Sequence, residues 1–286
     1  MTTRATTCGI LFAAFCGALL ACSCANALKG KPAHWRDGYV FGARAAANFT
    51  EGKLVTALSF YARGLAQARA HDLPEQAGLY LFNMGRCWLE LDVYDSARAC
   101  FAEARRQFSL RGKEGEARQA AGFAALAWSA AGVPDSALAW YKRGALTPKS
   151  TADKTFWLMV HGRLVWARDR TKEALAYFDE SYELYKKEKA WSGASAACLW
   201  RARVYRYFGD YPEASSQIRL ALALGEKSSF LAGRWRVLCA AAAISYCAKD
   251  EERAAWYYDR AVKCMPEGKA VPPRDSVMAC RKEIPW

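Results

Sequence analysis

The sequence predicts an all-α solenoid of about six helix hairpins, finished by a C-terminal capping tail. Three observations carry that expectation. A four-point pattern of small and large apolar residues recurs six times along most of the 286 residues. Alanine is abundant and proline sparse away from the ends, which suits helices. With 53% apolar and 24% charged residues, the chain can bury a core and lacks a disordered composition.

The spacing is read from a small residue near the start of each second helix: Ala57, Ala97, Ala137, Ala174, Ala214 and Ala254, in steps of 40, 40, 37, 40 and 40. In the first hairpin Ala45 stands on the first helix, and Tyr61 and Gly64 follow the marker. The second, Leu81 to Phe108, is the clearest copy, with Gly85, Ala97, Phe101 and Ala104. The third runs through Ala125, Ala137, Tyr141 and Gly144, and the fourth through Gly162, Ala174, Phe178 and Ser181. Ala202, Ala214, Ile218 and Ala221 make the fifth; Ala242, Ala254, Tyr258 and Ala261 make the sixth. Residues four and seven apart share one helix face. Small residues there let two helices approach, and the larger one fills the space beside them. A lone hairpin cannot bury its apolar face, so neighbours must stack.

With Leu81, Met84, Gly85 and Trp88 on one helix and Tyr94, Ala97, Phe101 and Ala104 on the next, the second copy resembles the tetratricopeptide repeat (TPR). Gly209-Asp210-Tyr211 matches the family's turn between helices, and Pro148 and Pro266 fall near repeat ends. The resemblance covers about Trp35 to Pro266. It implies a right-handed superhelix whose concave surface is lined by first helices. The Trp-Tyr pairs at 140–141 and 256–257 are also similar to Sel1-like repeats, a related hairpin. The period departs from the common repeat of about 34 residues. Gly112-Lys113-Glu114-Gly115 and Glu226-Lys227-Ser228-Ser229 are expected to lengthen the second helix or the loop after it.

Residues 1–21 read as a signal peptide. Arg4 precedes an apolar run from Ile10 to Ala21, too short to span a bilayer and suited to a secretory h-region. Leu19-Leu20-Ala21-Cys22 resembles the bacterial lipobox, which makes Cys22 the expected lipid attachment. Two acyl chains there would give stable anchoring. Ala25-Asn26-Ala27 offers ordinary cleavage and a soluble periplasmic product instead. An uncleaved anchor fits the run's length least. The lipobox is preferred because it lies directly against the apolar run. Residues 22–35 then form a tether, 36–266 six repeats, and 267–286 the capping tail. In the tail Pro272-Pro273 ends any helix, and Asp275 or Ser276 is placed to cap a short one reaching Glu283.

The formal net charge of +13 favours anionic surfaces, yet no basic run exceeds two residues. That pattern reads as solubility and attraction to a membrane rather than nucleic-acid binding. The three histidines are far apart, and the acid pairs Asp179-Glu180 and Glu251-Glu252 sit on ordinary helix faces. No catalytic constellation, cofactor site or metal site is expected. Cys87, Cys198 and Cys247 stand where small apolar residues pack, so they are expected as free core thiols. Export permits disulfides, and Cys264 with Cys280 is the preferred pair because it would staple the tail to the last repeat.

Mapped onto the concave positions that the TPR resemblance implies, the sequence offers Arg86, Arg163, Trp166, Arg203, Arg206, Tyr207 and Tyr246 as a partner-binding groove, with Arg236 also placed there. Arginines interleaved with aromatics suit carboxylates and apolar anchors. The family's carboxylate clamp also uses asparagine, and its full set is missing. The expected function is a non-enzymatic, membrane-tethered scaffold in the bacterial cell envelope, binding envelope proteins or extended peptide segments. The alternative is an accessory component of a solute transport system that docks a substrate-binding protein.

Overall fold

The computed structural model describes residues 33–144, 150–228 and 233–278. The expected signal peptide, Cys22, Pro148 and Cys280 lie outside the described residues, as does most of the tether. Among the described residues the secondary structure is helical throughout, in thirteen helices. Twelve pair as hairpins: α1 (Ala33–Thr50) with α2 (Leu54–Ala70), α3 (Pro74–Glu90) with α4 (Tyr94–Leu110), and α5 (Glu114–Ala130) with α6 (Pro134–Gly144). Then come α7 (Thr151–Trp166) with α8 (Thr171–Lys187), α9 (Trp191–Phe208) with α10 (Tyr211–Lys227), and α11 (Arg234–Cys247) with α12 (Glu251–Lys263). A single turn, α13 (Arg274–Val277), follows. The hairpins stack in order as a right-handed TPR-like solenoid.

The repeated small residues are the seams of the stack. All six markers, Ala57, Ala97, Ala137, Ala174, Ala214 and Ala254, are fully buried. Their partners on the first helices are buried too: Ala45, Gly85, Ala125, Gly162, Ala202 and Ala242. A finer rule emerges at that seam. Where the large residue after the marker is Phe, the facing position is Gly, because a Cβ on Gly85 would stand 2.7 Å from the Phe101 ring and one on Gly162 2.6 Å from the Phe178 ring. Where it is Tyr or Ile, alanine is accommodated. Phe82, Phe101, Phe123 and Phe156 continue the packing from hairpin to hairpin, with ring centroids 5.2 to 5.8 Å apart.

The 40-residue period resolves into helices rather than loops. Helices α2 to α5 are each 17 residues long, joined by three-residue turns. The middle residue of each of these turns is left-handed, Asp72 (φ 49°), Asp92 (62°) and Gly112 (64°), as is Gly52 (81°) in the turn before α2. Such a residue stops a helix after its last carbonyls have been satisfied. The expectation that residues 112–115 extend a loop or the preceding helix is therefore corrected. Gly112 ends α4, and Glu114 already begins α5.

The 37-residue step runs from α6, described to Gly144, across to α8. A buried polar network holds the stack together there. Arg118, almost fully buried, donates from Nε to the Gly144 carbonyl (3.0 Å) and from Nη2 to Asp153 (2.7 Å), and Trp157 Nε1 donates to the other Asp153 oxygen (3.0 Å).

The tail does two things. Val277 is fully buried against Trp235, Leu238 and Ala261, covering the end of the sixth hairpin. The short helix begins at Arg274, and Ser276 turns its hydroxyl back to the Pro273 carbonyl (2.7 Å) instead of capping. The segment before it reaches back to the start of the chain. Glu267 N donates to the Gly52 carbonyl (2.8 Å), and the Glu267 carboxylate accepts from Thr56 N (3.1 Å) and Thr56 Oγ1 (3.3 Å). Lys269 pairs with Asp92, and Arg236 with Glu90. The last hairpin thus touches the first and second, so the superhelix closes on itself along one edge. No helix among the described residues is long and apolar enough to cross a membrane.

Candidate functional site

The residue after a seam position is rotated by about 100° on its helix, away from the partner helix. Arg163 follows Gly162 on α7 and Arg203 follows Ala202 on α9, so both turn to the concave side. They line a cavity of about 390 Å³ inside the closed superhelix. Leu89, Glu90 and Asp92 from the α3–α4 turn form one wall. Ser195, Leu199 and Trp200 of α9, Leu222 and Glu226 of α10, and Arg234, Arg236 and Val237 of α11 are among the others. Trp200 is the centre of the basic patch. The Arg203 guanidinium lies 4.4 Å from its ring centroid and that of Arg163 5.0 Å.

The electrostatics are unbalanced. Arg203 is only 8% exposed, and its Nε and Nη2 have no hydrogen-bond partner among the described residues. Burial above all, and then the neighbouring Arg163 and Arg206 charges, lower its pKa to about 9. Burial likewise takes Arg163 to about 10. Arg236 is also lowered to about 10 by burial, although Glu90 is its ion-pair partner. A buried cation without a counter-charge is costly, and the excess positive charge of Arg163 and Arg203 stands at the cavity wall.

Of the residues expected in the groove, the cavity brings together Arg163, Arg203 and Arg236. Trp166 and Tyr207 form a layer behind it, Trp166 lying 6.4 Å from Trp200 and 5.6 Å from Tyr207. Arg206 is buried beside Arg203. Arg86 is not in the cavity wall. Its guanidinium lies 4.5 Å from the Phe49 ring centroid and donates to Asn83 Oδ1 (3.3 Å). Tyr246 sits exposed near the end of α11, also outside the wall. Trp200 is the member that sequence reasoning missed. Its signal was the i, i+3 spacing from Arg203, which puts the two side chains on one helix face.

Two cysteine expectations are corrected. Cys264 is a half-buried free thiol, so the Cys264–Cys280 link is not formed in the structure. Cys247, expected free, is disulfide-bonded, and its partner lies outside the described residues. Cys87 and Cys198 are buried free thiols, and burial pushes their pKa up to about 12 and 11. Among the described residues no group of three His, Cys, Asp or Glu side chains converges as a metal site.

No family model and no curated protein sequence matches the chain. Solved structures do. A Rap protein complexed with competence and sporulation factor superposes with a TM-score of 0.63 at 13% identity, covering 84% of this chain and 77% of that one. The fold is of the TPR type. A Rap conjugation gene regulator of a plasmid, in complex with a Phr peptide, gives 0.59 at 16% identity over 79% of this chain and 74% of its own. The apo quorum sensor NprR from B. thuringiensis gives 0.52 at 14% identity over 84% and 80%. At such identities the likeness concerns the TPR-type architecture alone.

Proposed function

We propose that this chain is a non-enzymatic TPR scaffold that captures an extended or helical segment of a partner protein on its concave face. The observation that carries the reading is Arg203, buried and without a hydrogen-bond partner at two nitrogens, beside Arg163 and against Trp200. A fold that buries a charge without neutralising it is built to receive the opposite charge from outside. One of the structures sharing the fold holds a peptide, which supports peptide as the partner class.

The same reading places the protein in the bacterial cell envelope, tethered through an acylated Cys22 and facing the periplasm. The lipobox-like Leu19-Leu20-Ala21-Cys22 supports the tether, and the net charge of +13 adds attraction to anionic headgroups. The Cys247 disulfide supports an oxidising compartment. Crosslinking in cells, read by mass spectrometry, tests the binding surface. Arg163→Glu should lose the crosslinked partners, while Arg86→Glu, outside the cavity wall, should keep them. Unchanged partners in a folded Arg163→Glu variant would sink the reading. Cys22→Ala should lose incorporated fatty acid and membrane association, and retention of both would remove the tether.

A further inference from the structure

We propose that the segment 264–273 is an autoinhibitory strap. It closes the concave face along one edge, and it must leave the first two hairpins before a partner segment enters. This rests on the concave face being the binding surface, and it adds how access to that surface is controlled.

The cavity is bounded by both sides of the closed edge. Leu89, Glu90, Asp92 and Tyr94 of the second hairpin line one side, and Arg236 and Val237 of the sixth line another. At about 390 Å³ it lies at the lower end of the range for small-molecule sites, roughly 300–1,000 Å³. A partner segment needs more room. A helix is about 10–12 Å across with its side chains, and a stable interface buries about 800 Å² on each partner. A stretch in the middle of a partner chain has no end to thread, so the edge must part to receive it.

The contacts of the strap differ on its two sides, and the difference shows where it parts. On its own hairpin it is held by burial. Val277, just beyond it, is fully buried with Trp235 and Leu238, and the Tyr258 hydroxyl donates to the Pro272 carbonyl (2.8 Å). Towards the first two hairpins the contacts are mainly polar: Glu267 with Gly52 and Thr56, and Lys269 with Asp92. Arg236 and Glu90 pair across the same line. Val55, against which Gly268 packs, is half exposed. Water replaces polar contacts at small net cost, and it cannot replace the burial of Val277. Burial lowers the pKa of Lys269 more than Asp92 raises it, so its ammonium regains hydration when the strap lifts. The closed and open forms are therefore close enough in free energy for a partner that binds only the open one to shift the balance.

Gly268 supplies the test. A Cβ there would stand 4.0 Å from the Val55 Cβ, within the disulfide range of about 3.5–4.5 Å. Full-length Val55→Cys/Gly268→Cys, shown folded by circular dichroism, is oxidised with diamide and read by mass spectrometry with and without reductant. The link should form, and its absence would show an edge that is open in solution and overturn the proposal. Crosslinking in cells then reads access. The locked pair should lose its partners on the order of tenfold, while each single cysteine variant keeps them. Glu267→Ala/Lys269→Ala, which frees the strap without adding a bond, should raise capture roughly fivefold or more. Undiminished capture by the locked pair, or no gain in the double alanine variant, overturns the strap. If Arg163→Glu still loses its partners in that case, the scaffold stands without it. Partners lost by the locked pair and kept by Arg163→Glu defeat the Arg163 surface and leave the strap.

Discussion

At Gly85 one hydrogen atom decides how close two helices stand. A methyl group there meets the Phe101 ring at 2.7 Å, and Phe101 is fully buried, so the ring has nowhere to go. Gly85→Ala is expected to lower stability by about 1–3 kcal/mol as an overpacked core does, measured by urea unfolding, despite alanine's better helix propensity. Ala45→Gly, at the fully buried seam position facing Tyr61, should lose helix propensity, roughly 1 kcal/mol, and a buried methyl, about 0.8 kcal/mol. Arg203 is the opposite case, a residue that costs stability where it stands. Its pKa is lowered from the ordinary arginine range to about 9, first by burial. Below about pH 9 both folded and unfolded chains carry the proton, and the full cost of the buried charge is present. Above about pH 9, up to the ordinary arginine range, the unfolded chain binds the proton more, so stability from this group rises with pH. Arg203→Met should therefore be the more stable protein at pH 7, by on the order of 1 kcal/mol or more. Its advantage should shrink as pH rises above about 9, which thermal melts across pH will show.

At the scale of elements, the hairpins obey a common plan except at the joint between the third and the fourth. Regular hairpins are joined by apolar seams. Here the joint is Arg118, Asp153 and Trp157, with Trp157 pressed so near Gly144 that a Cβ would lie 2.5 Å from its ring. Removing Asp153 leaves a buried guanidinium without its counter-charge. Asp153→Ala is expected to cost about 3–5 kcal/mol. Hydrogen exchange should locate the loss at the α5–α7 junction rather than spread it along the stack. A uniform loss across all hairpins would show that the junction is not the weak joint.

For the whole molecule, the closing contacts change the type of cooperativity. In an open solenoid each repeat contacts only its neighbours, and stability is nearly a sum of local terms. Here Glu267 binds the turn at Gly52 and Thr56, and Gly268, at φ 79°, stands where a Cβ would meet Val55 at 2.5 Å. First and last hairpins are thereby coupled. Glu267→Ala combined with Lys269→Ala should widen the superhelix, raising the radius of gyration seen by small-angle scattering, and should speed amide exchange in α2 and α12 together. Unchanged scattering and exchange in the double variant would mean that the edge contacts add nothing to closure.

The repeat count, the seams and the helical class were legible in the residues, because a seam demands small side chains at fixed intervals and leaves a periodic trace. Arg163 and Arg203 were legible for the same reason, each standing one place after a seam glycine or alanine. Trp200 stands one turn from Arg203 on the same helix, but it meets Arg163 only because the fourth and fifth hairpins pack together, and Arg236 faces Glu90 only once the superhelix has curved. The closing contact between Glu267 and Thr56 spans 211 residues and leaves no periodic signal. Nor does the choice of cysteine: Cys264 looked nearer to the tail, yet Cys247 carries the disulfide. Local spacing records which helices pack side by side. Curvature, summed over six hairpins, decides what faces what across the middle, and that sum is a property of the folded stack rather than of any one repeat.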